Sequence, residues 1–267
     1  MHIIPRGGLI LEFFHWVQVI LNNYGALLLK GTGVTVLLAI VGTLAGFLIG
    51  LLIGIYKTLP IRKEDPIVKR ILYRIFNILL SAYIELFRST PMMVQATVIF
   101  YGAAFMFQLR LDPVSAGMFI ISINTGAYMA EIVRGGIISV DKGQFEATHS
   151  IGMTHFQSMF YVVLPQAIRN IMPAVGNQFI INIKDSCVLS VISVTELFFQ
   201  TKSAAGATFQ TFPAYFIACV VYFILCFSIT QLLRYLETKM DGADTYTIYG
   251  TEPVINGADT LKRGDVK

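Results

Sequence analysis

Residues 33–56 read GVTVLLAIVGTLAGFLIGLLIGIY, a run of 24 residues without a charged side chain. A transmembrane helix needs about 20 predominantly apolar residues to cross about 30 Å of hydrocarbon, so this run predicts a spanning helix. Glycines recur at a four-residue period, at Gly42, Gly46, Gly50 and Gly54. Because that period places them along one helix face, where another backbone can approach closely, we expect this face to be buried against protein.

The composition of the whole chain is also that of a membrane protein. Of its 267 residues, 55% are hydrophobic and 13% are charged, whereas a soluble domain has about 25% charged residues. This balance excludes a soluble enzyme, a disordered tail and a nucleic-acid-binding module as the main interpretation. The three cysteines are too few, and their setting is too apolar, for a disulfide scaffold or a thiolate metal site.

Four further apolar stretches bring the predicted number of transmembrane helices to five. They cover residues 71–107, 113–133, 171–197 and 212–233, and Arg-Ser-Thr-Pro at residues 88–91 interrupts the first of them. The sequence therefore predicts an all-α integral membrane protein.

The N-terminal segment, residues 1–30, is more polar than these spans. Residues 9–29 have the composition of a helix that lies in the membrane interface, with Trp16 and Tyr24 as anchors at headgroup level. A short sixth span is the alternative interpretation of this segment.

Basic residues predict the orientation of the chain, because short cytoplasmic loops retain Lys and Arg. Six of them lie between the first and second spans: Lys57, Arg62, Lys63, Lys69, Arg70 and Arg74. We therefore predict that this loop is cytoplasmic, that the N-terminus is outside and that the C-terminus is inside. The transmembrane domain covers residues 31–238 on this interpretation, and the polar residues 239–267 form an extended cytoplasmic tail.

The connection between the third and fourth spans, residues 141–165, is too long for a simple turn. We call it the knob. Its sequence predicts one short helix over 145–156 that is broken around Gly152, and a second over 156–163 that ends before Pro165. Two short helices at about a right angle form a compact projection that can enter another protein. An ordinary amphipathic helix pair is the alternative.

The spacing within the knob resembles a known family. Glu146-Ala147-Thr148, three residues, Gly152, nine residues and then Val-x-Leu-Pro at 162–165 are similar to the coupling loop of ATP-binding-cassette importer permeases. The family pattern has Ala in place of Thr148 and Ile in place of Val162. Residues 85–95, 130–136 and 184–186 resemble segments of the polar-amino-acid branch of these permeases. The resemblance extends over about residues 31–237.

This resemblance implies a type I importer permease fold and a multi-pass position in the bacterial cytoplasmic (inner) membrane. It implies several partners besides the lipid bilayer: a separate ATPase subunit, a second permease chain that is identical or paralogous, an extracytoplasmic solute-binding protein and a polar amino acid substrate. The residues that it implies for coupling to the ATPase are Glu146, Ala147, Gly152, Leu164 and Pro165.

The chain itself is predicted to be a transport subunit and not an enzyme. It contains no Gly-x4-Gly-Lys-Ser/Thr phosphate loop, so it does not hydrolyse ATP by itself. ATP and Mg are therefore expected on the ATPase subunit, with no cofactor on this chain. His149 and His155 lie within the knob without a carboxylate at metal-ligand spacing, and we predict no metal site.

Charged residues inside a membrane mark a pathway or pair with one another, because each costs about 2.5–3.5 kcal/mol at the bilayer centre. Glu85 and Arg88 lie one helical turn apart, so an ion pair between them is one interpretation. The other is that the helix breaks at Pro91 beside a cavity. Residues around that break then contact a zwitterionic ligand: Ser89, Thr90 and Met92.

Two further polar positions are candidates for the substrate pathway. Asn124 and Glu131 lie two turns apart on one face and predict a polar track, although a local ion pair between Glu131 and Arg134 is equally compatible with the sequence. Asp185 faces the pathway or caps a helix break at Ser186, and the family resemblance favours a pathway role. Two carboxylates near one pathway favour a cationic amino acid.

One other class of protein remains open from the residues alone. A secondary transporter or channel could use Asp185 and Glu131 as ion sites. Such a protein usually contains an internal repeat, and we find none.

Overall fold

The computed structural model describes residues 6–59 and 65–240, and every regular element within these ranges is helical. A π-helical turn (Met159–Val163) precedes the seventh α-helix and a 3-10 helix (Ser186–Ile192) follows it. In chain order the α-helices are α1 (Arg6–Lys57), α2 (Ile67–Ser89), α3 (Met92–Phe107), α4 (Pro113–Ile138), α5 (Lys142–Ser150), α6 (His155–Ser158), α7 (Leu164–Asp185), α8 (Leu197–Thr208) and α9 (Thr211–Met240).

Helix α1 packs closely against α4 along the predicted glycine face. A Cβ atom on Gly46 would lie 2.6 Å from the Thr125 side chain, and one on Gly54 would lie 2.6 Å from Val133. Gly42 and Gly50 meet α4 in the same way, so each step of four residues on α1 matches a step of four on α4. The two helices therefore run parallel, and the prediction that this face packs against protein is confirmed.

Helix α1 continues without a break across the boundary predicted near residue 30. Its 52 residues correspond to about 78 Å at 1.5 Å per residue, longer than the roughly 40–45 Å of a bilayer with its headgroups. Residues 9–29 were predicted to form a helix separate from the first span. That prediction is wrong, because they belong to the same continuous helix. This part of α1 packs against α8 and α9, since Ile20 and Leu28 are buried in a cluster with Leu197, Ala204 and Ile217.

Three described helices are long and apolar enough to cross a membrane, namely Leu9–Lys57, Pro113–Ile138 and Thr211–Lys239. The pair α2 and α3 makes a fourth candidate, although the two helices are bent by 112° at the break between them. The predicted interruption at 88–91 is therefore confirmed. The count of five spans stays a prediction, because α7 is not among these candidates.

The predicted fourth span, 171–197, is wrong as a single helix. Helix α7 ends at Asp185, a 3-10 helix follows, and Ser193 then adopts a left-handed conformation with φ of 65°. The following turn is held by Glu196, which is fully buried. Its carboxylate accepts the backbone N–H groups of Phe198 and Phe199 at 2.8 and 2.7 Å and the Tyr222 hydroxyl at 3.1 Å.

A buried polar group ties α7 to the α1–α4 pair. The Asn182 side chain donates to the Thr43 hydroxyl at 2.8 Å and accepts from Thr125 at 2.9 Å and from Gln178 at 3.3 Å. All four residues are buried or nearly so. Polar groups in a membrane domain must find such partners within the protein, and this one fixes three helices against each other.

Two predicted features fall partly or wholly outside the described ranges. The tail predicted over 239–267 begins inside α9, and residues 241–267 lie outside the description. Arg62 and Lys63 of the predicted basic loop also lie outside it.

Candidate functional site

The first half of the knob is α5 with the turn that ends it. Asp141 caps the helix, and its side chain accepts the Gly143 N–H at 2.6 Å. Gly152 follows the helix with φ of +82°, a conformation that L side chains rarely adopt. The N–H groups of Gly152 and Met153 return to the carbonyls of His149 and Thr148, each at 3.0 Å. The predicted break at Gly152 is therefore confirmed.

The second half of the knob starts with a capping box. The Thr154 hydroxyl accepts the Gln157 N–H at 3.3 Å, and the Gln157 side chain accepts the Thr154 N–H at 2.8 Å. The helical conformation then continues through the π turn into α7, so the prediction that this helix ends before Pro165 is wrong. Pro165 lies directly after the π turn, a local irregularity at which the continuous helix accommodates a residue without an N–H.

One side of the knob packs against α4 and α7, and its other side is exposed. Met159 and Val163 are buried in a cluster with Val133, Ile137 and Ile171 from α4 and α7. Thr148 is also buried, and the rings of Phe145 and His155 stack at 6.1 Å between centroids. Four of the five residues predicted to couple to an ATPase are exposed, namely Glu146, Ala147, Gly152 and Pro165, and Leu164 is half-buried.

Large apolar side chains cover the outer surface of the knob. Ile151 is 76% exposed and Phe156 is 74% exposed, and Phe160 and Tyr161 are exposed beside them. Exposed apolar patches of this kind mark sites of protein or membrane interaction. The buried cluster beneath this surface holds the knob against α4 and α7.

A second polar site lies at the break between α2 and α3, which we call the elbow. The Gln95 side-chain amide donates to the Phe87 carbonyl at 2.9 Å and to the Thr90 carbonyl and hydroxyl at 2.9 and 2.8 Å. Asn124 on α4 in turn donates to the Gln95 side-chain oxygen at 2.8 Å. The structure therefore joins two predicted pathway residues, Thr90 and Asn124, through Gln95.

Gln95 was not predicted as a site residue. It is almost fully buried, although it lies only four residues after Pro91. A helix break leaves carbonyl groups without helical partners, and a side-chain amide one turn beyond the proline is well placed to satisfy them. That spacing is the sequence signal that was available.

The charged residues near the elbow do not form the ion pair that one of the two sequence interpretations predicted. Glu85 accepts the Ser89 hydroxyl at 3.0 Å, and the Arg88 guanidinium lies 5.8 Å from the centre of the Tyr128 ring. The alternative of a Glu85–Arg88 ion pair is thus wrong. Glu131 does pair with Arg134, at 2.8 Å, as its local alternative predicted.

These groups form one polar stripe along α4. Asn124, Tyr128 and Glu131 recur at helical spacing on one face, so Asn124 and Glu131 share a face as predicted. Arg88 from α2 covers the middle of the stripe. Lys57 at the end of α1 also lies close enough to act on the Glu131 charge.

Asp185 and Met92 are the other predicted pathway residues, and their surroundings differ from those of the stripe. Asp185 is the last residue of α7 and is exposed, and its side chain makes no capping bond to the 3-10 helix that follows. The break at Ser186 is present as predicted, with the Ser186 hydroxyl donating to the Ile183 carbonyl at 2.8 Å. Met92 packs against the core cluster around Leu38 and Ile120.

The described residues thus form a helical domain with candidate membrane spans, an exposed knob and a polar stripe along α4. The family model for the binding-protein-dependent transport system inner membrane component matches residues 46–242. The chain therefore belongs to this family, and the alternative of a secondary transporter or channel is set aside.

Individual relatives cover most of the chain. The glutamine transport system permease protein of Escherichia coli (strain K12) is 35% identical over 215 residues, which are 80% of this chain and 93% of that one. The L-cystine transport system permease protein of Bacillus subtilis (strain 168) is 40% identical over 162 residues, or 60% of this chain and 69% of the relative.

Solved structures give the same fold. A crystal structure of an amino acid ABC transporter with histidines superposes with a TM-score of 0.73 at 35% identity, covering 83% of this chain and 97% of that chain. An inward-facing form of the MetNI methionine ABC transporter has a TM-score of 0.66 at 21% identity, with 80% and 96% coverage, and supports the fold alone. The predicted all-α type I importer permease fold is confirmed.

Proposed function

We propose that this chain is the membrane-spanning permease of an ATP-driven importer that carries a polar amino acid across the bacterial cytoplasmic membrane. The observation that carries the proposal is the exposed apolar surface of the knob on a chain of this family. The relatives that cover it are named for glutamine and L-cystine, both polar amino acids.

A separate cytoplasmic ATPase subunit holds the knob in a surface cleft. Burial of one large apolar side chain contributes about 1.5–3 kcal/mol, so Ile151, Phe156, Phe160 and Tyr161 together supply a substantial docking energy. The buried cluster beneath them links the knob to α4 and α7. Movement of the ATPase is thereby transmitted to the two helices, and ATP and Mg are bound by the ATPase and not by this chain.

A second permease chain, identical or paralogous, completes the pathway. Helix α2 buries only Ile84 within the chain, and its Arg88 is exposed. An arginine within a spanning segment is too costly to face lipid. Arg88 therefore faces the second chain or a water-filled pathway between the two.

The substrate passes the elbow and the stripe. The proposed contacts are Ser89, Thr90 and Met92 at the elbow, Asn124 and Glu131 on α4, and Asp185 at the end of α7. Arg88 offers a positive charge to the substrate carboxylate, whereas the Glu131 charge is already paired with Arg134. A preference for a cationic amino acid then rests on Asp185 alone.

The orientation follows from the knob. The carboxyl ends of α1 and α4 lie at the same face, because the two helices are parallel. With the knob and the C-terminus in the cytoplasm, the N-terminus is outside. An extracytoplasmic solute-binding protein docks at the opposite end, where α8 turns into α9.

A pull-down from membranes with the tagged full chain tests the coupling. An ATPase subunit is expected with the wild type, and Phe156→Glu should reduce its recovery at least about tenfold, since one buried apolar contact is lost. Phe209→Glu is the matched control, because Phe209 is 90% exposed at the turn between α8 and α9. Recovery that is the same in wild type and Phe156→Glu, or an absence of any ATPase, contradicts the proposal.

A further inference from the structure

A groove of about 520 Å³ lies between the end of α1 and the start of α2, and the residues that line it belong to neither the knob nor the elbow. Its walls are almost entirely apolar. Leu72, Tyr73 and Phe76 recur at helical spacing on one face of α2, opposite Tyr56 and Leu59 of the α1 end. The charged residue on its wall is Lys69.

The side chains around the groove are those found at the membrane–water interface. The rings of Tyr56 and Tyr73 stack at 5.2 Å between centroids, and the Tyr56 hydroxyl donates to the Tyr73 carbonyl at 3.5 Å. Tyrosines concentrate at headgroup level, and long lysines nearby extend toward the headgroups. Lys57, adjacent to Tyr56, donates to the Ser81 hydroxyl at 3.0 Å. The tyrosines and the lysine of the groove are thus the residue types that the headgroup level of a membrane favours.

The rim of the groove is positively charged. Lys69 lines it, and Arg70 and Arg74 are exposed on the neighbouring face of α2. One carboxylate among the described residues of this region offsets them, since Asp65 pairs with Lys69 at 2.7 Å. The Lys69 side chain nevertheless keeps 58% of its surface exposed.

We propose that this groove binds one anionic phospholipid of the cytoplasmic leaflet. An acyl chain packs against Leu72 and Phe76, and the phosphate lies within reach of Lys69. Basic pockets between transmembrane helices on the cytoplasmic side are suited to anionic headgroups. The leaflet follows from the orientation under the proposed function, whereas the binding itself is independent of transport.

The charge also decides against a second copy of this chain as the occupant. A two-fold interface brings the same patch of each copy together, so the basic rims would face each other and repel. An anionic lipid places a negative headgroup beside the basic rim and an acyl chain against the apolar walls.

Tryptophan quenching by brominated lipid tests the proposal on the purified full chain. Trp16 is the only tryptophan of the sequence, so Trp16→Phe with Phe76→Trp places a single reporter in the groove. The protein is reconstituted in phosphatidylcholine vesicles that contain equal amounts of either brominated phosphatidylglycerol or brominated phosphatidylcholine. We expect the anionic lipid to be enriched about fivefold at the reporter, given the attraction of each basic residue near the surface.

Charge variants then identify the groove as the source of the enrichment. Lys69→Gln should lower it severalfold. Arg234→Gln, which removes an exposed cation from α9, should leave it unchanged. Equal quenching by the two lipids, quenching by neither, or the same loss in Arg234→Gln would each overturn the proposal. Because no transport is measured, these outcomes are separate from a failure of the importer assignment.

Discussion

Helices α4 and α2 are of similar length but complete their packing in different ways. Helix α4 buries 14 of its 26 residues within the chain, whereas α2 buries 1 of its 23, Ile84. The glycines of α1 approach its buried face at Ile121, Thr125, Met129 and Val133. Helix α4 is thus the part of the fold that the chain specifies by itself, and α2 completes its packing against lipid or another chain.

Introducing a side chain at Gly50 should break the α1–α4 pair and have the largest effect. Its Cβ would collide with the backbone and side chain of Met129, so Gly50→Leu leaves no room for the parallel packing. We expect loss of most folded protein, measured as the monodisperse fraction on size exclusion in detergent. Gly33→Leu is the control on the same helix, because nothing lies within 4 Å of that position. Equal loss in both variants would contradict the account of the pair.

Truncations on the two helices compare them directly. Ile120 on α4 is fully buried, and Leu79 on α2 is 59% exposed. Ile120→Ala should lower the free energy of unfolding by about 2–5 kcal/mol through the cavity it leaves. Leu79→Ala should change it by about 0.5 kcal/mol or less, as for other surface positions. Denaturation of the two variants in the same detergent measures both values, and similar losses would show that α2 is packed within the isolated chain.

The smallest effect is expected at the start of α4. The Asp112 side chain accepts the Ser115 N–H at 2.9 Å, and this hydrogen bond lowers the pKa of the Asp112 carboxyl. A lowered pKa in the folded state gives stability that is present above the ordinary aspartate value and is lost as the pH falls through the folded value.

Asp112→Asn keeps a capping side chain and removes the titration. The drop in melting temperature between neutral pH and pH below about 4, where aspartate titrates, should therefore be slightly smaller in this variant. A larger drop than in the wild type would contradict the capping role.

The parts of the fold that follow from local sequence were predicted, and those that depend on distant contacts were not. The glycine face and the elbow are both visible in short stretches, as a four-residue period and as Pro91. Residues 9–29 were predicted to form a separate interfacial helix because of their composition, but α1 is continuous and its Gly31 packs closely on Glu196 and Gln200. That contact joins residues far apart in the sequence.

The same distinction applies to the sites. The break at Gly152 was readable from the spacing of the knob, and the structure gives it a positive φ. Gln95 and the buried Glu196 were missed, because their roles depend on Asn124 and on Tyr222, which belong to other helices. The choice between a pathway role and an ion pair for Glu131 also needed the position of Arg134.

The central claim is that the knob transmits the movement of an ATPase subunit to the membrane helices, whereas the α1–α4 pair stabilises the fold. The direct measurement is ATP-dependent amino acid uptake in vesicles from cells with the complete transporter, comparing Gly152→Val with Gly152→Asn. Asparagine tolerates a left-handed backbone, whereas a β-branched residue does not. We predict that Gly152→Asn retains most uptake and that Gly152→Val abolishes it, with both chains inserted and monodisperse. Normal uptake by Gly152→Val would contradict the claim.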